Sequence, residues 1–200
     1  MMKIMLIGAT GSLGQVTRQA LLVNTDAELV LVSRHASSLT IDPTREQAKS
    51  INVLDQAPLV KALAGVDAVF AALSGNIAAM ARSIVGAMTV AGVSRLVFIS
   101  SMGIYNEIPA QVGVQGNLTY NPLLRPYRDA ADIVVASGLN YTVIRPGWFD
   151  NGSDDYEITR EGEPFGGHDV SRRAIAKLAV ATLTDARRYS QESIGINRPE

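Results

Sequence analysis

The fold is decided near the start of the chain, by Lys3-Ile4-Met5-Leu6-Ile7-Gly8-Ala9-Thr10-Gly11-Ser12-Leu13-Gly14. A short apolar run, predicted to be a buried strand, leads directly into three glycines spaced three residues apart, and a helical pattern follows. A sharp turn from strand to helix needs glycine, as do places where backbone approaches a phosphate or a helix packs on a strand. The helix start also offers unpaired N–H groups and a positive dipole end to a diphosphate. This context predicts a dinucleotide site contacted by Gly8, Thr10, Gly11, Ser12, Leu13 and Gly14.

Length and composition limit the remaining possibilities. Two hundred residues suit one α/β domain over residues 1–200. The chain has 18 basic and 19 acidic residues and no block of like charge, which argues against a nucleic-acid partner. It has no cysteine, which excludes disulfides, thiolate metal sites and a cysteine nucleophile. The two histidines, His35 and His168, are far apart in sequence, so no metal site is predicted.

The first strand begins within a few residues of Met1, with no charged leader, cleavable apolar region or membrane-spanning run before it. We therefore expect a soluble cytoplasmic protein with no membrane partner. The sequence leaves open whether it is a monomer or a homodimer.

Apolar runs alternate with helical patterns along the whole chain, which predicts a parallel sheet with crossover helices. The predicted strands cover residues 3–7, 28–33, 49–54, 67–72, 95–100 and 140–145, with a seventh, edge strand over 193–197. The predicted helices cover residues 13–23, 56–64, 77–91, 122–137 and 172–184. Gly92 is expected to end the third helix, and Ser171 to cap the last one.

The end of the second strand, Ser33-Arg34-His35, bears on the choice of dinucleotide. Folds that bind NAD usually have Asp or Glu here, about twenty residues after the glycines, to bond the ribose hydroxyls. This chain has a hydroxyl, a guanidinium and an imidazole instead, a set that suits a 2′-phosphate. Ser33 and Arg34 therefore predict NADP rather than NAD, although NAD remains possible. The alternative is that Arg34 is an ordinary solvated loop residue.

The other strand ends supply further candidates for the cofactor site. Asp55 follows the third predicted strand, where it could meet the adenine amine or cap the next helix. Leu73, Ser74 and Gly75 end the fourth strand, and this small, glycine-containing end would let a ribose lie close to backbone.

The ends of the fifth and sixth strands are expected to meet the nicotinamide ring and the substrate. Ser100 and Ser101 end the fifth strand with two hydroxyls, and Pro146 ends the sixth. Trp148 and Phe149 follow, and either form a wall against the ring and substrate or belong to the core. The segments 102–121 and 147–170 are expected to form a small substrate-side region, with the loop 104–121 as its lid or wall.

Four motifs together resemble the atypical short-chain dehydrogenase/reductases, in particular the NAD(P)-binding NmrA-like group, which is similar to the biliverdin-IXβ/flavin reductases. They are Gly8-Ala9-Thr10-Gly11-Ser12-Leu13-Gly14, Asn52-Val53-Leu54-Asp55, Leu96-Val97-Phe98-Ile99-Ser100-Ser101 and Tyr141-Thr142-Val143-Ile144-Arg145-Pro146-Gly147. The resemblance covers nearly the whole chain. It implies a Rossmann-type, doubly wound parallel sheet of strand order 3-2-1-4-5-6-7, with helices on both faces.

In the main branch of that family a serine, a tyrosine and a lysine four residues after the tyrosine handle the proton. The lysine binds the nicotinamide ribose and lowers the pKa of the phenol, which is otherwise ~10. Ser101 and Tyr127 match the serine and the tyrosine here, but Ala131 stands where the lysine is expected. Arg128 cannot simply replace it, because one residue along a helix turns the side chain by roughly 100°. Tyr105 lacks the lysine too, since Pro109 is four residues on.

Two functions remain open. The first is an NADP-dependent reductase that passes hydride to a small or planar acceptor, such as a flavin, quinone, tetrapyrrole or carbonyl, without a protein acid. The second is a redox sensor that binds NADP and turns nothing over. A sugar-nucleotide epimerase or dehydratase is a weaker possibility, because such enzymes need the tyrosine–lysine pair and a larger lobe than the roughly fifty residues after the sixth strand.

Overall fold

The fold comes from a computed structural model that describes residues 1–199. The strands are β1 (Lys3–Ile7), β2 (Glu28–Ser33), β3 (Glu46–Ser50), β4 (Ala68–Ala71), β5 (Arg95–Ile99), β6 (Asn140–Pro146), β7 (Trp148–Asp150), β8 (Glu157–Arg160), β9 (Asp169–Ser171) and β10 (Glu192–Asn197). The helices are α1 (Ser12–Asn24), α2 (Gln56–Ala62), α3 (Ile77–Ala91), α4 (Arg125–Val135) and α5 (Arg172–Thr184).

Eight strands form one sheet in the order β3-β2-β1-β4-β5-β6-β10-β8. The first seven run parallel, and β8 pairs antiparallel with β10. The predicted order 3-2-1-4-5-6-7 is therefore confirmed, with β10 as the seventh strand. The order reverses between β1 and β4, and in an open α/β sheet such a reversal opens a crevice at the carboxyl ends of the strands.

Helices cover both faces of the sheet, as predicted. On one face α1 and α5 pack on the strands through side chains such as Leu13 and Leu178. On the other face α2, α3 and α4 do so through side chains such as Leu59, Ala81 and Val134. The central strands are consequently buried on both sides, and this explains why their sequences are continuously apolar.

The turn from β1 to α1 depends on two close backbone contacts. Gly8 has φ +88°, and a Cβ there would lie 2.0 Å from the Ala72 carbonyl oxygen. A Cβ on Gly14 would lie 2.2 Å from the carbonyl oxygen of Gly8. Gly8 also donates its N–H to the Val32 carbonyl oxygen at 2.9 Å. The turn is therefore wedged between the ends of β2 and β4 and has no room for larger residues at these two positions.

The predicted helix ends are also confirmed. Helix α3 has the predicted bounds and ends at Gly92, which has φ +72° and donates its N–H to the last turn of the helix. Ser171 caps α5, because its hydroxyl accepts a hydrogen bond from the Ala174 N–H at 3.0 Å. The predicted helix 122–137 begins instead with a short 3-10 turn over Pro122–Leu124, and the α-helix starts at Arg125.

The third strand was predicted at residues 49–54, and this was wrong. The strand is β3, whose sequence is polar and whose only fully buried residue is Glu46. An edge strand pairs on one side only, so it tolerates polar side chains that a central strand would not. The apolar run after it is a loop instead, in which Val53 enters the core and Ile51 packs against it.

The predicted edge strand 193–197 exists as β10, but it is not at the edge. Strand β8 covers it, inside a segment whose polar sequence predicted no regular structure. A second, two-stranded parallel sheet joins β7 to β9 and was not predicted either. Both pairings join residues far apart in sequence, and such short segments carry little periodic signal.

Among residues 1–199, no helix is both long enough and apolar enough to cross a membrane.

Replacing Gly8 with Ala tests the close contact at the turn, and Gly65→Ala is the matched control. Both glycines have positive φ, but a Cβ on Gly65 would meet nothing within 4 Å. Both variants therefore carry the same backbone strain, and only Gly8→Ala adds the clash with Ala72. We expect Gly8→Ala to lower the free energy of unfolding by at least ~2 kcal/mol more than Gly65→Ala, measured by urea denaturation without cofactor. Equal losses would mean that the turn can relax.

Candidate functional site

A cleft opens at the carboxyl ends of β1, β2 and β4, where the strand order reverses. Its first chamber has a volume of about 190 Å³. The walls of this chamber are formed by Ile7, Gly8, Thr10, Gly11, Val32, Ser33, Arg34, His35, Ile51, Asn52, Val53, Ala72, Leu73, Ser74 and Met80.

A second chamber continues the cleft toward β5 and has a volume of about 300 Å³. Its walls are formed by Gly11, Ser12, Leu13, Gly14, Ala72, Leu73, Ser74, Ile99, Ser100, Tyr127 and Phe149. The two chambers meet over the glycine turn, because Gly11 and the residues 72–74 belong to both. The cleft therefore crosses the start of α1, as a dinucleotide would in this type of fold.

Most of the predicted cofactor residues come together in this cleft. Those that line it are Gly8, Thr10, Gly11, Ser12, Leu13, Gly14, Ser33, Arg34, Leu73, Ser74 and Ser100. Gly75, Asp55 and Pro146 lie outside its walls. The described residues that line the cleft include no acid and no lysine, and the one arginine is Arg34 in the first chamber. Such a lining suits an anionic ligand.

The structure bears on one of the two contacts predicted for Asp55, the helix cap. It occupies the N-cap position of α2, but its side chain makes no capping hydrogen bond. It is exposed, and the wall of the first chamber is formed by its neighbours Asn52 and Val53. Its contact with adenine stays a prediction. Asn52 and Val53 were not predicted to line the cleft, although both belong to the motif that ends in Asp55 and could have been found from it.

Arg34 is exposed at the rim of the first chamber. Within the described part of the chain it makes no ion pair and no hydrogen bond. The turn that carries it is shaped by Ser33, whose hydroxyl accepts a hydrogen bond from the His35 N–H at 3.1 Å. An arginine without a protein partner at this rim is available to a 2′-phosphate.

The two candidate catalytic residues are placed differently. Tyr127 lines the second chamber, next to Ser100, whose hydroxyl donates to the Tyr127 carbonyl oxygen at 3.2 Å. Ser101 does not line the cleft, and its hydroxyl donates to the Met102 carbonyl oxygen at 3.1 Å. A catalytic role for Ser101 or Tyr127 stays a prediction.

Nothing on α4 replaces the missing lysine beside Tyr127. Ala131 is fully buried in the core between α4 and the sheet. The guanidinium of Arg128 donates to Asp132 at 2.8 Å and lies 4.6 Å from the ring centroid of Tyr105. Arg128 is therefore held outside the cleft. The described residues that line the second chamber beside Tyr127 include no lysine and no arginine.

The aromatic residues after β6 do not belong to the core. Phe149 is 38% exposed and lines the second chamber, as Tyr127 does. Trp148 is 64% exposed and stacks on the His168 ring, with the ring centroids 5.9 Å apart. The interpretation as core residues is thus wrong for both. Only Phe149 forms part of the chamber wall, because consecutive side chains on a strand point in opposite directions.

A buried ion pair joins the substrate-side loop to the end of β6. Arg145 is fully buried and pairs with Glu107 of the loop, and its Nε donates to the Ser193 hydroxyl at 3.1 Å. Burial raises the pKa of the Glu107 carboxyl above its ordinary value, and the charge of Arg145 opposes that rise. The pair therefore fixes the loop to the strand that ends at Pro146.

The two segments of the predicted substrate-side region pack against each other. Met102, Ile108 and Phe165 form a small apolar cluster, and the Phe165 N–H donates to the Glu107 carbonyl oxygen at 3.1 Å. Inside the loop, the buried Asn117 side chain bonds both backbone groups of Ile108, at 2.8 and 2.9 Å. These contacts favour a wall over a lid.

A parallel doubly wound sheet with a glycine turn under a cleft at its switch point defines a dinucleotide-binding Rossmann protein. The chain belongs to the NAD(P)H-binding family, which it matches over residues 8–186. The glycine turn fits such a ligand, since backbone without Cβ atoms forms the floor of the cleft.

Three relatives illustrate the similarity. A Rossmann-fold NAD(P)-binding family protein from Shigella flexneri is 33% identical, with 100% of this chain and 94% of that chain covered and a TM-score of 0.85. A short-chain dehydrogenase/reductase from Veillonella parvula, solved in complex with NADP, is 27% identical, with 99% and 95% covered and a TM-score of 0.88. An uncharacterized sugar epimerase of Bacillus subtilis, YhfK, is 28% identical, with 92% and 89% covered.

Replacing Arg145 with Met tests the buried ion pair. The change leaves the Glu107 carboxylate buried without a partner, and we expect unfolding to become easier by ~3–5 kcal/mol. The matched control is Arg160→Met, which breaks the exposed ion pair of Arg160 with Glu192 and should cost less than ~1 kcal/mol. Urea denaturation measures both variants. Adding Glu107→Gln to Arg145→Met should recover part of the loss, and no recovery would mean that packing, not charge, causes it.

Proposed function

We propose that this protein is an NADP-dependent reductase that transfers hydride to a small or planar acceptor, such as a flavin, quinone, tetrapyrrole or carbonyl. One observation carries the proposal. The second chamber, at the reactive end of the cleft, has an apolar and aromatic wall that includes Tyr127 and Phe149, and the described residues offer no lysine there. Such a chamber can orient a flat ring but is poorly equipped for proton transfer.

The choice of NADP rests on the first chamber. Arg34 and Ser33 stand where a ribose-binding acid would stand in an NAD site, and no acidic side chain of the described residues lines the chamber. An arginine is the side chain best matched to a phosphate, because its planar fork donates two parallel hydrogen bonds. The complex of the Veillonella parvula relative with NADP supports the same choice.

The protein's part in the reaction would be placement. The cofactor supplies the hydride, and the glycine turn with Ser12, Leu73 and Ser74 would hold its diphosphate and ribose along the cleft. Phe149 and Tyr127 would hold the acceptor and exclude water from one side. Flavins and tetrapyrroles take up the accompanying proton from water or from their own acidic groups, so such acceptors need no protein acid.

Two other functions are less well supported. A redox sensor that binds NADP would not need the family's lysine, and Ala131 in its place is consistent with that function. A sensor that reduces nothing would, however, have no need of the aromatic wall formed by Tyr127 and Phe149. The Bacillus subtilis relative carries the name of a sugar epimerase. Epimerisation by way of the cofactor needs a side chain that takes the proton of the sugar hydroxyl and returns it, and among the described residues no lysine lines the second chamber to support Tyr127 in that role.

Replacing Arg34 with Ala tests the cofactor assignment. We expect NADP⁺ to bind ~10-fold to 100-fold more weakly, since a charge-assisted hydrogen bond to the 2′-phosphate is lost, and NAD⁺ binding to be unchanged. Arg82→Ala, an exposed arginine on α3, is the control and should alter neither affinity. Isothermal titration measures all of them. If NAD⁺ binds as tightly as NADP⁺ and Arg34→Ala leaves that ratio unchanged, the assignment to NADP is wrong.

Replacing Tyr127 with Phe tests how the acceptor obtains its proton. General acid catalysis by a side chain contributes ~100-fold to 10,000-fold in rate. With flavin or quinone as acceptor we expect kcat to fall by less than that range, because the proton comes from water. NADPH oxidation at 340 nm follows the reaction, with a small carbonyl as the comparison substrate. A loss of ~100-fold or more with flavin would make Tyr127 the acid.

The same assay separates the reductase from the sensor. Tight NADPH binding without turnover on flavins, quinones, tetrapyrroles or small carbonyls would exclude the proposed reduction and favour the sensor.

A further inference from the structure

Arg172, the first residue of α5, reaches across to the glycine turn. Its Nε lies 3.4 Å from the hydroxyl oxygen of Ser12, at the long end of the hydrogen-bond range. Its Nη1 donates to the Asp150 carbonyl oxygen at 3.1 Å and to the Asn151 side-chain oxygen at 3.3 Å. Its guanidinium carbon lies 5.6 Å from the ring centroid of Phe149. The side chain thus touches two residues of the second chamber's wall without lining the chamber itself.

Arg172 forms no ion pair with a carboxylate among residues 1–199, although its charge acts on the Asp150 carboxylate at longer range. The three oxygens that its guanidinium bonds are a hydroxyl, a carbonyl and an amide oxygen, all neutral. The nearby Asp150 carboxylate pairs with Arg198 at 2.8 Å. In the part of the chain that the structure describes, Nη2 of Arg172 donates no hydrogen bond. One donor of Arg172 is therefore uncommitted beside the start of α1. Within residues 1–199 its charge forms no ion pair, and it helps Arg198 to lower the pKa of the nearby Asp150 carboxyl.

The neighbouring arginine shows that this arrangement is particular to Arg172. Arg173 lies one position further along α5 and pairs with the Asp154 carboxylate at 2.9 Å. Its charge is already compensated on the protein surface. Two adjacent arginines on one helix thus differ in the one respect that matters for an anionic ligand.

The cleft has a matching need for a cation. A dinucleotide carries its diphosphate over the glycine turn, where this chain supplies neutral backbone N–H groups and hydroxyls. Arg34 is the one arginine among the described lining residues, and it belongs to the first chamber. We infer that Arg172, from the first turn of α5, binds the cofactor's diphosphate over the start of α1.

Arg172 would also link the cofactor to the aromatic wall. Its guanidinium packs over Phe149, so a diphosphate that holds Arg172 also holds the Phe149 ring beside the second chamber. Cofactor binding would then order the wall before the acceptor arrives. The inference needs only that the chain binds NAD(P), not that it reduces anything, so its test is a binding experiment.

The experiment measures three ligands on Arg172→Ala by isothermal titration and competition: NADP⁺, NAD⁺ and adenosine 2′-monophosphate. Loss of a charge-assisted contact to the diphosphate should weaken both dinucleotides by the same factor, ~10-fold to 100-fold. Adenosine 2′-monophosphate has no diphosphate and should bind as before. Arg172→Lys keeps the charge but not the planar fork, so its losses should be smaller. The salt dependence of dinucleotide binding should also weaken.

Two further variants distinguish this role from others. Arg34→Ala should give the complementary pattern, with weaker NADP⁺ and adenosine 2′-monophosphate and unchanged NAD⁺. Arg173→Ala, the matched control, should alter no affinity. The inference is wrong if Arg172→Ala binds both dinucleotides as tightly as the parent protein, or if Arg173→Ala weakens them equally. Equal loss for all three ligands would mean a structural role. If Arg172→Ala does not fold by circular dichroism, Arg172→Lys and Arg172→Gln decide between the same outcomes.

Discussion

The contact between Gly8 and the carbonyl oxygen of Ala72 governs the carboxyl edge of the sheet. Because a Cβ on Gly8 would lie 2.0 Å from that oxygen, the chain can turn there only as bare backbone. Helix α1 starts directly after this turn, and its residue Gly14 packs against the carbonyl oxygen of Gly8. The floor of the cleft is therefore backbone without Cβ atoms at Gly8 and Gly14. The binding site is thus a consequence of how β1 meets β4.

A second constraint shapes the opposite side of the cleft. The buried pair of Arg145 and Glu107 holds a loop of nearly twenty residues against the end of β6. A buried ion pair contributes little net stability compared with an apolar pair of similar volume, but it tolerates no loss of one partner. Its effect here is positional, because it keeps the loop beside the strand that leads to Phe149. The substrate side therefore combines a buried ion pair and hydrogen bonds with a small apolar cluster, whereas the turn on the cofactor side depends on backbone fit.

The distribution of charge along the cleft agrees with the chemistry proposed for it. Among the described residues, no acid lines the cleft, and Arg34 and Arg172 stand beside its two parts. The second chamber has aromatic side chains and, among the described residues, no lysine in its wall. The cleft therefore has groups that suit an anionic cofactor but lacks, within residues 1–199, the lysine that would support a tyrosine as proton acid. A protein of this kind would do its work by orienting two flat rings, with the reduction driven by the cofactor.

Local patterns in the sequence were sufficient for most of the fold. The parallel order, the glycine turn and the cap at Ser171 depend on residues close together in the chain, and periodicity and turn chemistry report such features directly. The sequence did not reveal the polar edge strand β3 or the antiparallel β8, because edge strands lack the apolar pattern of buried ones. It named both Trp148 and Phe149, but not which of them faces the cleft.

By itself, then, the sequence determined a Rossmann-type sheet, the residues of its glycine turn and the absence of the family's lysine at Ala131. Only the tertiary structure brought Arg172 beside Ser12, 160 residues away in the chain, and left it without an ion pair among residues 1–199. The physical reason is that an arginine's role depends on which charges surround it in space. Sequence spacing does not encode that when the partners come from opposite ends of the chain.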